Sequence, residues 1–360
     1  MKIAIYSPYL DTFGGGEKYM MTIAEILSLS NAVDVLLDQN LRDLGAQFLK
    51  NNLSKRFDLN LKAVNFINAP IGKNTSSLAR AFFLKSYDRL FYLTDGSIFF
   101  PTARRNILHI QSPLLGEVSK NRWGKFKLKG WELIIYNSEF TKQNSENNWP
   151  LKSVVIYPPV DVGKIKPLVK KKYILSVGRF FGFLKDKKHQ LLIEVFGELY
   201  KENKLKDWTL YLVGSAGRGD ENYLNELRSK ANGLPVIFYP NLDYDNLVKL
   251  YGESSIYWHA AGFKESDPIK MEHFGISTVE AMTAGCVPVV INQGGQREIV
   301  EHGKSGFLWD NIAELKNFTL DLIKSTPLRE RMIREASDKS KHFSKEQFSQ
   351  NIFKLVNENK

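Results

Sequence analysis

The feature that most limits the fold is a series of short β-branched and aromatic runs that are apolar at both odd and even positions. They fall at 3–6, 33–37, 61–66, 89–93, 107–110, 133–136 and 154–157, then at 173–177, 208–213, 236–239, 256–259 and 287–291. A strand with one buried face alternates apolar and polar residues, whereas strands apolar on both parities belong to parallel sheets covered by helices on both sides. Helical patterns fill the intervals. Leu191, Leu192, Val195, Phe196, Leu199 and Tyr200 recur at helical spacing, and so do Leu247, Leu250 and Tyr251. This alternation predicts an α/β protein of doubly wound, Rossmann-like parallel sheets.

A chain of 360 residues exceeds what one core supports, so two such domains are expected. The break falls in 157–172, "YPPVDVGKIKPLVKKK", where Pro158, Pro159, Pro167 and a lysine run interrupt any regular element. The expected division is 1–165 for an N-terminal domain and 166–342 for a C-terminal, ligand-binding domain. Residues 343–360 then form a helix packing back towards the first domain, with the two domains facing each other across a cleft.

Charge and cysteine usage narrow the classes. No apolar stretch reaches the roughly 18 residues of a membrane-spanning helix, and Met1–Tyr6 is too short for a secretory signal before Ser7-Pro8 stops it. It reads as a first strand. The single cysteine, Cys286, has no partner for an intrachain disulfide. These features suit a cytoplasmic protein, peripheral at the cytoplasmic membrane face. A formal charge of +11 calls for an acidic partner: a phosphorylated substrate, an anionic lipid surface or nucleic acid.

The densest chemistry lies in "MEHFGISTVEAMTAGCVPVV", 271–290. Phe274, Gly275, Ile276 and Ser277 precede a helix expected over 278–284 and stopped by Gly285, and a helix start with a flexible glycine seats an oxyanion. Ser277 and Glu280 also fit Ser-x-x-Glu, a capping box that would make Glu280 structural. Glu272 lies in the loop after the strand ending "YWHAAG", at the carboxyl end where such sheets place ligands; a solvated loop carboxylate is the plainer reading.

Basic residues face this seat from other loops. Arg179 follows the strand ending Ser176-Val177-Gly178, and Lys187 or Lys188 stands at the next helix start. Gly14-Gly15-Gly16-Glu17 forms a glycine-rich turn between the first strand and helix, without the G-x-G-x-x-G spacing of a dinucleotide site. His109 and His259 both end strands, each either a satisfied structural histidine or a substrate contact. Asp243 and Asp245 open a helix and look like N-capping, so no metal or other cofactor is expected. In 119–131, Lys120, Arg122, Lys125, Lys127 and Lys129 interleave with Trp123, Phe126, Leu128 and Trp131. That mixture suits an anionic membrane or a single strand, but its period-two part does not support a clean amphipathic helix.

Taken together, "GGGE", "HIQSPL", "YNSEFT", "VIYPPVD", "SVGRF", "KKHQLLIEVF", "YLVGSAG" and above all "EHFGISTVEAMTAGCVPVV…GGQREIV…GKSGFLW" resemble glycosyltransferase family 4, retaining enzymes of the GT-B fold. The resemblance covers nearly the whole chain, and its E-x7-E element, Glu272 to Glu280, is the most specific part. It implies a hexosyltransferase moving a sugar from a nucleoside-diphosphate sugar to a glycan or lipid-linked acceptor in surface polysaccharide, glycolipid or glycoprotein synthesis, without a metal ion. By the same resemblance Glu280 holds the ribose, Glu272 meets the donor sugar, and Arg179 with Lys187 neutralises the diphosphate. Lys188 stays the alternative because the Arg-to-Lys interval is longer than in the family. Gly275, Ile276 and Ser277 seat the phosphates, Gly15 and Gly16 close over them, Gly214 lines the nucleotide side, and His109 completes the catalytic set. Arg122, Trp123, Lys125 and Lys127 would serve the acceptor and membrane. A sugar-nucleotide hydrolase or epimerase of this fold is the alternative; nucleic-acid binding is disfavoured, since no base-reading motif is present.

Overall fold

The computed structural model describes residues 1–118 and 122–357. Among them, thirteen strands form two sheets. The first contains β1 (Lys2–Tyr6), β2 (Ala32–Leu37), β3 (Val64–Asn68), β4 (Arg89–Leu93), β5 (Arg105–Ile110), β6 (Leu133–Tyr136) and β7 (Lys152–Val155) in the order β3-β2-β1-β4-β5-β6-β7. The second contains β8 (Tyr173–Val177), β9 (Thr209–Gly214), β10 (Val236–Pro240), β11 (Ile256–His259), β12 (Val287–Ile291) and β13 (Phe307–Trp309) in the order β10-β9-β8-β11-β12-β13. Every pairing in both sheets is parallel.

The chain forms two compact units, Met1–Pro159 with the chain from Phe348 onward, and Val160–Gln347. The division falls at 159/160 and 347/348 rather than at 165/166 and 342/343. Backbone bonds from Val160 N to Phe343 O and from Lys345 N to Val160 O, at 2.9 and 3.0 Å, tie residue 160 to the segment just before the last helix.

Both parities of the strands are buried for the expected reason. In β1, Ile3 and Ile5 enter one core cluster, while Ala4 and Tyr6 enter another on the opposite face. The helix Lys345–Asn357 contributes Phe348, Ile352, Leu355 and Val356 to the first of these clusters. In the second unit, the helix His189–Lys201 buries Leu192, Ile193, Val195, Phe196 and Leu199 against the core that holds Trp258 and Trp309.

Sheet order also locates a ligand site. In the second sheet β8 stands between β9 and β11, so the connections reverse direction at the β8/β11 pair. The crevice outside the carboxyl ends of those two strands is the switch point where open α/β sheets bind ligands.

Four local expectations change. The helix in the 271–290 stretch runs over Ile276–Thr283, starting earlier than 278. Residues Arg122–Leu128 are helical, although the sequence pattern gave no amphipathic helix there; Lys120 lies outside the described residues. The third strand sits at Val64–Asn68 rather than 61–66, and β13 has no counterpart among the expected runs.

Candidate active site

At the switch point, two side chains from separate segments converge on one carboxylate oxygen of a third, Glu272. Lys187, just ahead of the helix His189–Lys201, donates from Nζ to Glu272 Oε2 at 2.7 Å. His259, the last residue of β11, shares that oxygen through Nε2 at 3.0 Å. Burial alone would raise the Glu272 carboxyl, but the Lys187 charge and the His259 hydrogen bond hold it well below the usual carboxylate range. Burial alone would lower Lys187, yet the Glu272 and Asp186 carboxylates keep it above its ordinary value. The two groups are therefore a charged pair at neutral pH. Arg179, after β8, is exposed, stacks over Phe181 at 4.6 Å and is close enough to act electrostatically on Lys187.

The two lysines take separate directions. Lys188 has a left-handed backbone (φ 56°) and sends Nζ to Glu265 Oε1 at 2.5 Å, in the loop before Glu272. Lys187 is thus the lysine beside Glu272.

What fixes the Glu272 backbone is the pair Gly294-Gly295. Gly295 N donates to Glu272 O at 2.8 Å, and a Cβ at Gly294 would lie 2.2 Å from the same carbonyl oxygen. Sequence reasoning quoted this "GGQREIV" segment without giving it a role; the adjacent glycines were the available signal.

The expected oxyanion seat is a helix start. Gly275 is the N-cap of Ile276–Thr283 at φ 117°, and no side chain caps this end. The capping-box reading of Ser277 and Glu280 gives way to a different arrangement. Tyr257, on β11, donates its hydroxyl to Ser277 Oγ at 2.8 Å, and Tyr251 donates to Glu280 Oε2 at 3.1 Å. With the helix beginning at 276, Ser277 lies inside it and cannot serve as its cap. Ile276 opens the helix, and Glu280 projects from its second turn and is buried. Gly214 ends β9, and a Cβ there would sit 1.9 Å from the Gly178 carbonyl oxygen, so close passage of β9 beside the Gly178-Arg179 turn requires glycine. Asp243 caps the helix Tyr244–Glu253, accepting from Asn246 N at 3.0 Å.

The remaining candidates lie in the first unit. His109 on β5 is enclosed: its ring stacks on Tyr19 with centres 3.9 Å apart, and Nδ1 lies 3.1 Å from Ile135 O. Burial pushes its pKa down to about 3, so the ring is neutral and Nδ1–H donates. Gly15 and Gly16 open the helix Gly15–Leu27 that carries Tyr19. A Cβ at Gly16 would strike the Gln111 side chain, while buried Glu17 closes the helix start by accepting from Gly14 N at 2.8 Å and Thr12 Oγ1 at 2.9 Å.

Arg122, Trp123, Lys125 and Lys127 stand on the helix Arg122–Leu128. Trp123 is 74% exposed, and half-exposed Phe126 stacks on Phe100 with ring centres 4.8 Å apart. The apolar surface continues on the helix Ser77–Leu84, where Leu78 and Phe82 are exposed and Arg80 lies over Phe99. No helix among the described residues is long and apolar enough to cross a membrane.

Comparison with known proteins bears on this geometry. Residues 161–339 match the family described as glycosyl transferases group 1. The Dictyostelium discoideum GDP-Man:Man(3)GlcNAc(2)-PP-Dol alpha-1,2-mannosyltransferase is 28% identical over 247 residues, 62% of this chain and 47% of that protein. The Homo sapiens protein of the same description is 27% identical over 239 residues, 60% of this chain and 46% of that one. The chain spans about half the length of the curated relatives it matches. Among solved structures, a glycosyltransferase from Rickettsia africae aligns with a TM-score of 0.74 at 18% identity, covering 99% of this chain and 98% of that one. The Anabaena protein HepE, solved with UDP and glucose, aligns at 0.69 and 19% identity over 99% of each chain. These likenesses establish the GT-B fold.

Proposed function

We propose that this chain, whose residues 161–339 match glycosyl transferases group 1, is a retaining, metal-independent glycosyltransferase of family 4. It moves a sugar from a nucleoside-diphosphate donor to a lipid-linked or growing glycan. The observation that carries the reading is the Glu272 carboxylate, held charged by Lys187 and His259 at the β8/β11 switch point. The uncapped start of Ile276–Thr283 belongs to the same unit.

The chemistry follows from charge. Cleaving the bond between an anomeric carbon and a diphosphate develops negative charge on the leaving group and positive charge on the sugar. Lys187, Arg179 and the helix-start amides stabilise the leaving group, and a site shielded from water strengthens each interaction. Lys187 is paired with Glu272, so an arriving diphosphate competes for it and frees Glu272 to meet a sugar hydroxyl. Glu280 takes the ribose, with Tyr251 orienting its carboxylate. Retention arises by attack on the face the diphosphate leaves, a donor phosphate oxygen taking the acceptor's proton. No protein nucleophile is assigned.

The relatives' names specify GDP-mannose and a dolichol-linked acceptor, and the HepE structure holds UDP and glucose. Both donor types therefore belong in the test, as do lipid-linked acceptors. The exposed aromatic residues Trp123 and Phe82, with Arg122, Lys125 and Lys127, support docking on an anionic membrane at its cytoplasmic face. Purified protein incubated with radiolabelled GDP-mannose, UDP-glucose and related donors, plus membrane extract, should label a lipid-extractable or polymeric product, and Glu272→Gln should abolish labelling. Absence of transfer from every donor, with Glu272→Gln indistinguishable from the unaltered protein, overturns the reading.

A further inference from the structure

We propose that His259 is the positioning residue that keeps Glu272 oriented after the donor has drawn Lys187 away. This rests on the transferase reading and extends it to a residue outside the diphosphate and sugar contacts.

The two groups on Glu272 Oε2 differ in what they stand on. Lys187 carries a flexible four-carbon stem in the loop between β8 and the helix His189–Lys201. Its charge is what a diphosphate seeks, so binding and holding Glu272 are competing tasks for it. His259 ends β11, an inner strand paired in parallel with β8 on one side and with β12 on the other. Its ring is 3% exposed, and β-sheet backbone on both sides fixes its root. Glu272 itself lies in an irregular segment between Lys270 and Ile276. Its backbone is tied by Gly295, but its side chain is oriented only by the groups on Oε2 among the hydrogen bonds of the described residues. Once Lys187 turns to phosphate, His259 is the donor left in place, and Oε1 can face the sugar.

The charged and titratable surroundings are consistent with this division. Lys187 has a second carboxylate, Asp186 Oδ2 at 3.9 Å, to hold its charge when it leaves Glu272, while the like charge of Arg179 repels it. Tyr257 lies on the same strand as His259, gives its hydroxyl to Ser277, and feels the Glu272 charge without hydrogen-bonding to that carboxylate. His189 lies near both His259 and Lys187 but is held uncharged by burial, its pKa down to about 3, so it neither competes for Glu272 nor repels Lys187 near neutrality. His259 Nδ1 has no hydrogen-bond partner among the described residues, so the single bond from Nε2 fixes the ring's chemistry.

The test compares His259→Phe, which keeps the ring shape without a donor, and His259→Gln, whose amide can still donate. Losing a hydrogen bond to a charged group predicts kcat down roughly 10- to 100-fold for His259→Phe at saturating donor. Nucleoside-diphosphate affinity should stay within about twofold, because His259 is not a phosphate contact, and the acid limb of the kcat/KM profile should move to higher pH. His259→Gln should recover most of the rate. A readout independent of turnover is the carboxylate 13C resonance of Glu272, assigned by its loss in Glu272→Gln. With nucleoside diphosphate bound, it should titrate at higher pH in His259→Phe than in the unaltered protein. If His259→Phe fails to fold, the ring 15N spectrum of the unaltered protein decides: a protonated, hydrogen-bonded Nε2 must persist when nucleoside diphosphate binds. An unmoved Glu272 titration, or loss of that Nε2 signal on binding, overturns the proposal. Absence of sugar transfer by the unaltered protein would instead overturn the transferase reading and leave the NMR results to judge His259.

Discussion

Lys187 and Lys188 are adjacent and chemically identical, yet their surroundings give them different work. Lys187 pairs with Glu272 and Lys188 with Glu265. Lys187→Ala should weaken nucleoside-diphosphate binding by more than tenfold, the order expected for a partly buried charge-assisted contact, whereas Lys188→Ala should change it less than threefold; calorimetric titration separates them. The sequence held both lysines as candidates because spacing along the chain says nothing of a backbone that turns left-handed at Lys188. It pointed to Glu272 and Glu280 through motif and strand-end placement, but not to the oxygen that Lys187 and His259 share, since Lys187 lies 85 positions from Glu272 and meets it only through the fold. A second residue-scale expectation concerns Gly214. A methyl group there meets backbone, which cannot swing aside, so Gly214→Ala should cost about 1–3 kcal/mol, read as a lower urea midpoint with unchanged slope.

Elements were legible where their ends carry turn residues and illegible where they are short or their boundary depends on a dihedral angle. The strands at 89–93, 133–136, 173–177, 256–259 and 287–291 match the structure at both ends. Three-residue Phe307–Trp309 has too few positions to show any period. The helix Ile276–Thr283 begins where it does because Gly275 adopts φ 117°, a conformation that glycine permits but does not announce. Arg122–Leu128 escaped notice because the alternating Lys125–Trp131 pattern straddles the helix end at Leu128. Its consequence is testable on vesicles: Trp123→Ala with Phe126→Ala should reduce binding to anionic liposomes several-fold, and added salt should weaken what remains. Equal sedimentation with liposomes for both proteins would remove the membrane role. By contrast, Asp243 is an ordinary cap, and Asp243→Ala should lower stability by about 1 kcal/mol without touching donor affinity.

For the whole molecule, two buried histidines set an acid limit. His109 and His189 are held down to about 3 by burial, while an unfolded histidine titrates near 6.5. Between those limits the unfolded chain binds protons that the folded chain refuses, so stability falls as pH drops, by up to ~1.4 kcal/mol per pH unit for each ring. Glu272, depressed by its partners, works in the same direction, its contribution being lost as pH falls; Glu17, raised by burial, opposes it modestly. The urea midpoint should therefore fall steadily from pH 7 to pH 5, and a flat profile would contradict the buried, neutral state of both rings. The two-sheet architecture itself was readable because double-faced apolar strands leave few alternatives.

Where the last helix packs has a temporal consequence. Phe348, Ile352, Leu355 and Val356 complete the core around β1, and Arg89 Nη2 donates to Val356 O at 2.7 Å. The first unit to leave the ribosome thus lacks part of its interior until residue 356 has also emerged. Val160–Gln347 builds the cluster around Trp258 and Trp309 from its own continuous stretch. It can mature while the N-terminal segment still lacks the helix that closes its core.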